Sequence, residues 1–414
     1  MREMKDSGIE WIGKIPHCWN TSKLKYLGQY INGYAFKPEE WGSKGVPIIR
    51  IQDLTGSNDN PNYFEGQIDK KYGVENGDIL ISWAATLDAF IWNKGNGWLN
   101  QHIFKAVPNR RIIDYDFFFW MIKESMKNMN NDNKHGIFMQ HVTLSVFNNF
   151  TIPMPPLAEQ HRIAAFLDRK CAEIDAVLEK TRASIEEYKK LKQAVITQAV
   201  TKGIRGDRPM KDSGIEWIGE IPAEWDVIRV KQLLKERNER SKEGKEEPLS
   251  MSQKVGLVPT KFLESIPNMA SSFVGAKLAY VDDLVFNKLK AHLGVFSVSR
   301  YNGLVSPDYA VYCSTGKSNL KYLEYIFKTP QCIGEFRKKS TGIAAGLMRL
   351  YTEGLFSIYL PYPALSEQEE IAEYLNEKCA GIDALIVKKQ QYLTEIENYK
   401  KSLIYEYVTG KKEV

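Results

Sequence analysis

The sequence predicts an α+β protein in which two β-rich α/β domains are separated by two long helices that form an antiparallel coiled coil. Three observations carry this prediction: a Trp-containing motif occurs twice, a long heptad-patterned helix occurs twice, and a segment rich in turn residues follows each motif. The chain has 414 residues, which is enough for two or three domains with cores of their own.

The repeats show that the chain is an internal duplication. Residues 4–19 read MKDSGIEWIGKIPHCW and residues 210–225 read MKDSGIEWIGEIPAEW, so 13 of 16 positions are identical. Residues 157–180 and 365–388 form a second matching pair. Because the offsets, 206 and 208 residues, are nearly equal, one half-chain unit has been duplicated.

The second repeated element is predicted to be a helix of about 45 residues, roughly 67 Å long. Pro155 and Pro156 precede the first copy, and Ser366 and Glu369 give the second the spacing of a capping box. A narrow heptad stripe of apolar residues needs a partner helix, so we expect the two helices to pack antiparallel about a pseudo-twofold axis. The alternative is two separate helices, each lying on its own domain. The predicted seam residues are Leu167, Ile174, Leu178, Ile185, Tyr188, Val195, Leu375, Ile382, Ile386, Leu393, Ile396 and Leu403.

The segments between motif and helix are predicted to be mixed α/β or β-rich. Apolar stretches at 77–82 and 283–287 indicate strands bounded by turns, and shorter helices are expected near 115–127 and 320–328. The predicted boundaries are 1–153 for the first domain, 154–203 for the first helix, 204–361 for the second domain and 362–414 for the second helix.

Composition excludes several classes of protein. The five cysteines are scattered without a CxxC pair, which argues against a disulfide framework and a zinc site. No apolar run is long enough to span a bilayer and no signal peptide is present, so we expect a cytoplasmic protein without a membrane partner. The net charge of +5 is compatible with nucleic-acid binding but does not by itself argue for it.

Reactive motifs are missing as well. Gly316-Lys317-Ser318 resembles the end of a phosphate-binding loop, but Val311 occupies the place of the required first glycine. Glu187-Tyr188-Lys189 fits the end of a nuclease pattern, yet it lies on the predicted coil. Three histidines could be catalytic: His102, His141 and His292. A lone histidine beside aromatic residues, however, more often has a structural role. The sequence therefore predicts a protein that is not an enzyme and that binds no metal.

The repeated motifs resemble those of one family, the specificity subunits of type I restriction–modification enzymes, over essentially the whole chain. The resemblance rests on Asp-Ser-Gly-x-Glu-Trp-Ile-Gly-x-Ile-Pro, which begins at Asp6 and again at Asp212, and on the helix start Pro-x-x-Glu-Gln-x-x-Ile-Ala-x-x-Leu at 156–167. A third motif, Ala-Val-Thr-Lys-Gly, stands at 199–203. The second helix start departs from the pattern, because Ala364 replaces its proline.

The resemblance implies a non-catalytic subunit with two target-recognition domains, each reading one half of a bipartite DNA target whose halves differ. It implies double-stranded DNA, two methyltransferase (modification) subunits docked on the helical spacer, and a restriction/translocase subunit as partners. No cofactor is expected in this chain, since S-adenosylmethionine, ATP and Mg would belong to the partner subunits. A stand-alone DNA-binding regulator that dimerises through its coil is one alternative, and an unrecognised nuclease or methyltransferase is another.

Candidate DNA contacts follow from the chemistry of base reading, because phosphate contacts position a protein on DNA whereas contacts to base edges specify the sequence. Polar, basic and aromatic residues near predicted turns are therefore the candidates. In the first domain they are Arg50, Gln52, Ser82, Trp83, Lys134, His135 and Gln140. In the second they are Lys288, Lys290, His292, Arg337, Lys338, Lys339, Thr341 and Arg349.

The duplication also predicts that the C-terminal segment lies beside the first Trp motif. The first long helix runs directly into the second Trp motif, so that motif should pack beside the end of this helix. Equivalent surroundings for the first motif are available only at the end of the second helix. We therefore expect Trp11, Ile12 and Ile15 to bury apolar surface near 405–410, which would bring the termini together.

Overall fold

The computed structural model describes residues 2–58, 60–132, 142–253, 255–263, 273–342 and 348–414. At 130–132 it describes the backbone but not the side chains. They form two compact units. The first unit comprises Met1–Arg182 and Gln391–Val414, and the second is the continuous segment Ala183–Gln390. Each long helix therefore contributes to both units.

The first unit holds short strands, small helices and the beginning of the first long helix. Its described strands are β1 (Met4–Asp6), β2 (Lys14–Pro16), β3 (Asn20–Lys23), β4 (Gly28–Asn32), β5 (Val46–Ile49), β6 (Tyr63–Phe64), β7 (Gly73–Val74), β8 (Ile79–Ser82), β9 (Asp88–Ile91), β10 (Gly97–Leu99), β11 (Ile103–Pro108) and β12 (Thr151–Met154). Its described helices are α1 (Ile51–Thr55), α2 (Tyr115–Asp132), α3 (Leu144–Asn149) and α4 (Leu157–Lys202), the last of which continues into the second unit.

The main sheet of the first unit is antiparallel, with strand order β4-β11-β8-β9. A second sheet has the order β6-β5-β10-β7. Ile81 of β8 and Phe104 of β11 are buried because both strands are central, and Phe117 and Phe118 of α2 join the same core. Thr143 caps α3, since its hydroxyl accepts a hydrogen bond from the Val146 amide.

The second unit repeats this inventory. Its described strands are β13 (Met210–Asp212), β14 (Glu220–Pro222), β15 (Asp226–Arg229), β16 (Leu234–Glu236), β17 (Leu249–Ser252), β18 (Gly256–Pro259), β19 (Lys277–Ala279), β20 (Leu284–Asn287), β21 (Phe296–Val298), β22 (Gly303–Val305), β23 (Tyr309–Ser314) and β24 (Tyr359–Tyr362). Its described helices are α5 (Val230–Leu233), α6 (Leu320–Phe327), α7 (Pro330–Lys339), α8 (Thr352–Phe356) and α9 (Leu365–Val408), the last of which ends in the first unit.

The main sheets of the two units share one topology. The order β16-β23-β20-β21 repeats β4-β11-β8-β9 strand for strand, and β15-β24 repeats β3-β12. The strands predicted at 77–82 and 283–287 are β8 and β20, and the helices predicted near 115–127 and 320–328 are α2 and α6. The predicted α+β class, the two β-rich domains and the two long helices are confirmed.

The long helices pack antiparallel within each unit. Lys400 reaches Asp175 at 2.6 Å in the first unit, and Lys192 reaches Asp383 at 2.6 Å in the second. These two ion pairs are equivalent in the repeat, because each residue of one pair lies 208 positions from its counterpart in the other. All the predicted seam residues are buried or half-buried, whereas Val177 and Tyr399 are exposed.

The first Trp motif packs against the end of the chain. The Tyr405 hydroxyl donates to the Trp11 carbonyl at 3.2 Å, and the Lys411 ammonium donates to the Ile12 carbonyl at 2.8 Å. Ile12 and Ile15 share a buried cluster with Leu403, Ile404 and Val408 of α9. The predicted meeting of the termini is therefore confirmed, and in the second unit 218–225 packs likewise beside 196–200.

No helix in the described part of the chain combines the length and the apolar character needed to cross a membrane.

Candidate nucleic-acid interface

Three loops meet at one end of the main sheet in the first unit. They are the β8–β9 turn (83–87), the β10–β11 connection (100–102) and the segment that enters α3 (142–143). The Trp83 amide donates to the His102 carbonyl at 3.4 Å, and the Val142 amide donates to the Trp83 carbonyl at 2.9 Å. We call this group of loops the first loop site.

The first loop site presents neutral aromatic and polar groups. The Trp83 ring stacks on Phe104, with ring centroids 5.8 Å apart, and its buried indole N–H finds no hydrogen-bond partner among the described residues. The Gln101 amide lies 3.3 Å from Nε2 of the exposed His102 ring. Ala85 has a φ of 60°, a left-handed conformation that costs energy in a residue other than glycine and is over-represented at functional sites.

The second unit joins its loops with the same hydrogen bonds. The Lys288 amide donates to the Asp308 carbonyl at 3.2 Å, and the Leu350 amide donates to the Lys288 carbonyl at 3.0 Å. Thr341 and Arg349 face each other in an isolated antiparallel bridge. The β20–β21 loop (288–295), the β22–β23 connection (306–308) and the described ends of the segment 341–350 form the second loop site.

The second loop site is rich in cations. Lys290 and Lys339 are exposed, and neither forms an ion pair with another described residue. Lys338 pairs with Glu335 at 2.7 Å, and Arg349 lies 3.3 Å from Asp308. The hydrogen bond to Glu335 raises the pKa of Lys338, so its ammonium group stays charged at neutral pH.

The last turn of α7 supplies the other cationic edge of this site. The Arg337 guanidinium donates to the His292 carbonyl at 3.4 Å, which fixes the end of α7 against the β20–β21 loop. All the candidates predicted for the second domain thus lie in or beside one group of loops. One of them, His292, has a buried side chain. The expectation that His292 contacts DNA therefore needs correction.

The candidates predicted for the first domain are more dispersed. Arg50 is the N-cap residue of α1, and its guanidinium lies 4.9 Å above the Trp41 ring. Gln52 is exposed on α1. Ser82 is fully buried and its hydroxyl donates to the Ala84 carbonyl, which argues against the predicted base contact. The candidates Lys134, His135 and Gln140 lie outside the described residues.

Sequence reasoning missed three exposed or half-buried groups in the first domain. Trp41 and Gln101 are absent from the predicted contacts, and His102 is predicted only as a catalytic candidate. The Asn100 amide donates to the Ile49 carbonyl at 3.2 Å, so the 100–102 turn connects Arg50 with Trp83. The signal was in the offset: His102 lies 206 residues before Asp308, which occupies the same joint.

A buried carboxylate at the start of each long helix anchors the Trp motif. The Trp19 indole N–H donates to Glu159 at 2.9 Å, and Arg2 forms an ion pair with the same carboxylate at 2.5 Å. In the second unit, Trp225, Glu367 and Arg208 repeat the arrangement at 2.9 and 2.7 Å. These contacts hold each domain on its helix and so fix the position of each loop site.

Among the described residues, no group of three or more His, Cys, Asp or Glu side chains is arranged to hold a metal ion. The Gly316-Lys317-Ser318 stretch is a loop, as predicted, and its Ser318 hydroxyl is buried against the Leu233 carbonyl.

Residues 16–187 match the family model described as the type I restriction modification DNA specificity domain. The type I restriction enzyme EcoBI specificity subunit of Escherichia coli is 22% identical over 99% of this chain and 89% of its own length. The chain is therefore similar, over nearly its whole length, to type I restriction enzyme specificity subunits. The MjaVIII specificity subunit of Methanocaldococcus jannaschii is 25% identical, covering 96% of this chain and 94% of its own length.

Solved structures agree on the fold. A chain from a structure of the type I R-M system, from work on its complex assembly and conformational transition, aligns with a TM-score of 0.72 at 14% identity, covering 96% of the present chain and 99% of its own length. The HsdS subunit from Thermoanaerobacter tengcongensis aligns with a TM-score of 0.53 at 15% identity, covering 96% and 98%. The predicted resemblance to the type I specificity subunits is confirmed.

Proposed function

We propose that this chain is the DNA-specificity subunit of a type I restriction–modification complex and that it reads a bipartite target with two different half-sites. One observation carries the proposal: the same three-loop joint, closed by the same two hydrogen bonds, occurs in both units with different side chains. An aromatic and amide-bearing site in one domain and a cationic site in the other are suited to unlike half-sites.

In this proposal residues 1–153 and 204–361 are the two target-recognition domains, and residues 154–203 and 362–414 are the spacer helices. Double-stranded DNA is the ligand of both loop sites. The methyl donor, ATP and Mg belong to partner methyltransferase and restriction/translocase subunits. This chain selects the DNA sequence on which those subunits act.

The modular reading is tested by exchanging one domain. Residues 20–153 are replaced by the corresponding segment of another specificity subunit, and the chimaera is expressed with its methyltransferase subunits. Sequencing the modified adenines should reveal a target in which one half-site is new and the other is unchanged, since each domain reads independently. A change in both half-sites contradicts the proposal.

The cationic site is tested by charge removal in the complete complex. Lys290→Gln combined with Lys339→Gln should weaken DNA binding and lower the slope of log K against log salt by about one to two units, because each lost phosphate contact releases about one counterion fewer. Lys231→Gln, which changes an exposed lysine on α5, is the matched control and should leave the slope unchanged. An unaltered slope in the double variant would contradict the proposal that DNA binds at the second loop site.

The docking surface for the methyltransferase subunits is proposed to be two exposed apolar pairs on the helices. In the first unit, Val177 is 40% and Tyr399 58% exposed, and the ion pairs Asp175–Lys400 and Arg182–Glu397 place them at one level of the helix pair. In the second unit, Leu191 and Leu385 are 49% and 43% exposed beside Lys192–Asp383. Val177 corresponds to Leu385, and Leu191 to Tyr399, at the same 208-residue offset.

Equivalent patches suit two copies of one partner. Val177→Asp combined with Tyr399→Asp should reduce the stoichiometry of bound methyltransferase subunits from two to one, measured by native mass spectrometry, because a charge in an apolar interface core is costly. Val107→Asp changes a comparably exposed valine on β11 and is the control. A subunit that binds its DNA fully without any partner, and takes up no methyltransferase, would instead indicate a stand-alone regulator.

A further inference from the structure

The β20–β21 loop of the second loop site has an unusual combination of groups on its surface. Leu293, at the end of a short 3-10 helix, is 49% exposed, and Lys290 stands exposed three residues earlier. The Leu293 carbonyl accepts a hydrogen bond from Gln253 at 3.1 Å. This bond joins the loop to the β17–β18 turn, where Val255 is 62% exposed.

The main chain of this loop has its acceptors occupied. The Lys290 carbonyl accepts from the Leu293 and Val295 amides at 2.9 and 3.2 Å, and the Ala291 carbonyl accepts from the Gly294 amide at 2.9 Å. The Arg337 side chain donates to the His292 carbonyl, and the Gln253 side chain donates to the Leu293 carbonyl. The four consecutive carbonyls 290–293 are therefore already bonded, so the loop offers a ligand an apolar side chain and a cationic donor.

These groups match the edge of one base. In the major groove, thymine presents the O4 acceptor and the C5-methyl group, whereas guanine presents two acceptors and no methyl, and adenine and cytosine each present an amino donor. A lysine ammonium pairs with an acceptor, and a leucine side chain contacts a methyl group. Each carbonyl at 290–293 already accepts at least one hydrogen bond, so an amino donor would have to share an acceptor that is already in use.

On these grounds, and resting on the proposed function, we propose that Leu293 contacts the C5-methyl group of a thymine in the half-site read by the second domain. Lys290 is the donor to the O4 of that base or to its neighbouring phosphate. The loop is well suited to this role because its internal hydrogen bonds and the bonds from Arg337 and Gln253 hold Leu293 in place before DNA arrives.

The test uses the complete complex and a duplex in which each thymine of that half-site is replaced in turn by deoxyuridine, which lacks only the methyl group. For the unaltered complex, one replacement should weaken binding about fourfold, the value of burying one methyl-sized group. For Leu293→Ser, the thymine and uracil duplexes should bind equally. Leu293→Met should retain the discrimination, because it restores apolar contact.

Val281→Ser is the matched control, since Val281 is 50% exposed in the same unit but lies on the β19–β20 connection. It should discriminate thymine from uracil as the unaltered complex does. The inference is overturned if the half-site lacks thymine, if no replacement affects the unaltered complex, or if Leu293→Ser still discriminates. A complex that selects its target but ignores every thymine methyl overturns this inference alone and leaves the proposed function standing.

Discussion

At the scale of single residues, the two buried carboxylates at the helix starts explain why the Trp motif recurs so faithfully. Glu159 and Glu367 are each held by an indole N–H and a guanidinium. A buried carboxylate is tolerated only when its hydrogen bonds are satisfied. Replacing one member therefore leaves a charge underpaired, whereas drift in the loops carries no such penalty.

The first prediction removes one of these donors. Trp19→Phe should lower the free energy of unfolding by about 1.5–3 kcal/mol more than Trp11→Phe does, since the Trp19 indole donates to a charged group. The Trp11 indole N–H is buried and has no hydrogen-bond partner in the described part of the chain, so removing it breaks none of the hydrogen bonds seen there. Urea unfolding of both variants measures the difference, and equal losses would mean that the Glu159 contact adds nothing.

At the scale of elements, the ends and interior of α9 place different demands on glycine. Gly381 is an exposed interior residue, and a Cβ there would meet no atom within 4 Å. Gly410 follows the helix with a φ of 72°, and a Cβ there would lie 2.5 Å from Cδ of Pro16. The first glycine is a helix weakness, whereas the second is required by the contact with the Trp motif.

This contrast gives the second prediction. Gly381→Ala should raise the free energy of unfolding by about 0.5–1 kcal/mol, because alanine loses less backbone entropy in a helix. Gly410→Ala should lower it by about 1 kcal/mol or more, because the substitution meets both positive φ and a steric clash. Thermal unfolding monitored by circular dichroism compares them, and shifts in the same direction would refute the assignment.

The sequence predicted the elements better than the loop sites, for a physical reason. A heptad stripe records the whole burial pattern of a helix locally, so α4 and α9 were predictable from their own residues. The loop sites depend on hydrogen bonds between distant segments, such as Trp83 with Val142, which no local pattern encodes. Ser82 and His292 looked accessible in sequence because the strand and loop that bury them could not be seen.

The same limit explains why Arg2 and Arg208 were missed. Both lie just before the repeated motif at the 206-residue offset, but their partner carboxylates are more than 150 residues away along the chain. The meeting of the termini, by contrast, was predictable, because the duplication itself demanded equivalent surroundings for both Trp motifs.

At the scale of the whole molecule, the third prediction is that the chain tolerates circular permutation. Residues 203–209 connect α4 to β13, whereas 409–414 and 1–3 lie between α9 and β1, so a direct Val414–Met1 bond needs no added linker. Arg2 already reaches Glu413 at 3.6 Å. A permutant opened after Gly206 should therefore fold and bind the same DNA target.

The readouts are the unfolding midpoint and the modified sequence. A permutant opened instead within α4, after Ala183, is the control and should be strongly destabilised, because it interrupts a continuous helix. Loss of folding in the Gly206 permutant would show that the natural 203–209 connection does more than link the two halves.

The closure of the first unit by α9 has a consequence for synthesis on the ribosome. Residues 183–390 are contiguous and can assemble as soon as they have emerged, but the first unit lacks Leu403, Ile404 and Val408 until those residues have also been translated. The N-terminal half is thus made first and finished last. During that interval Trp11, Ile12 and Ile15 lack the partners that α9 supplies, so a nascent chain arrested before residue 391 exposes part of its N-terminal motif to chaperones and proteases while its second unit is already protected.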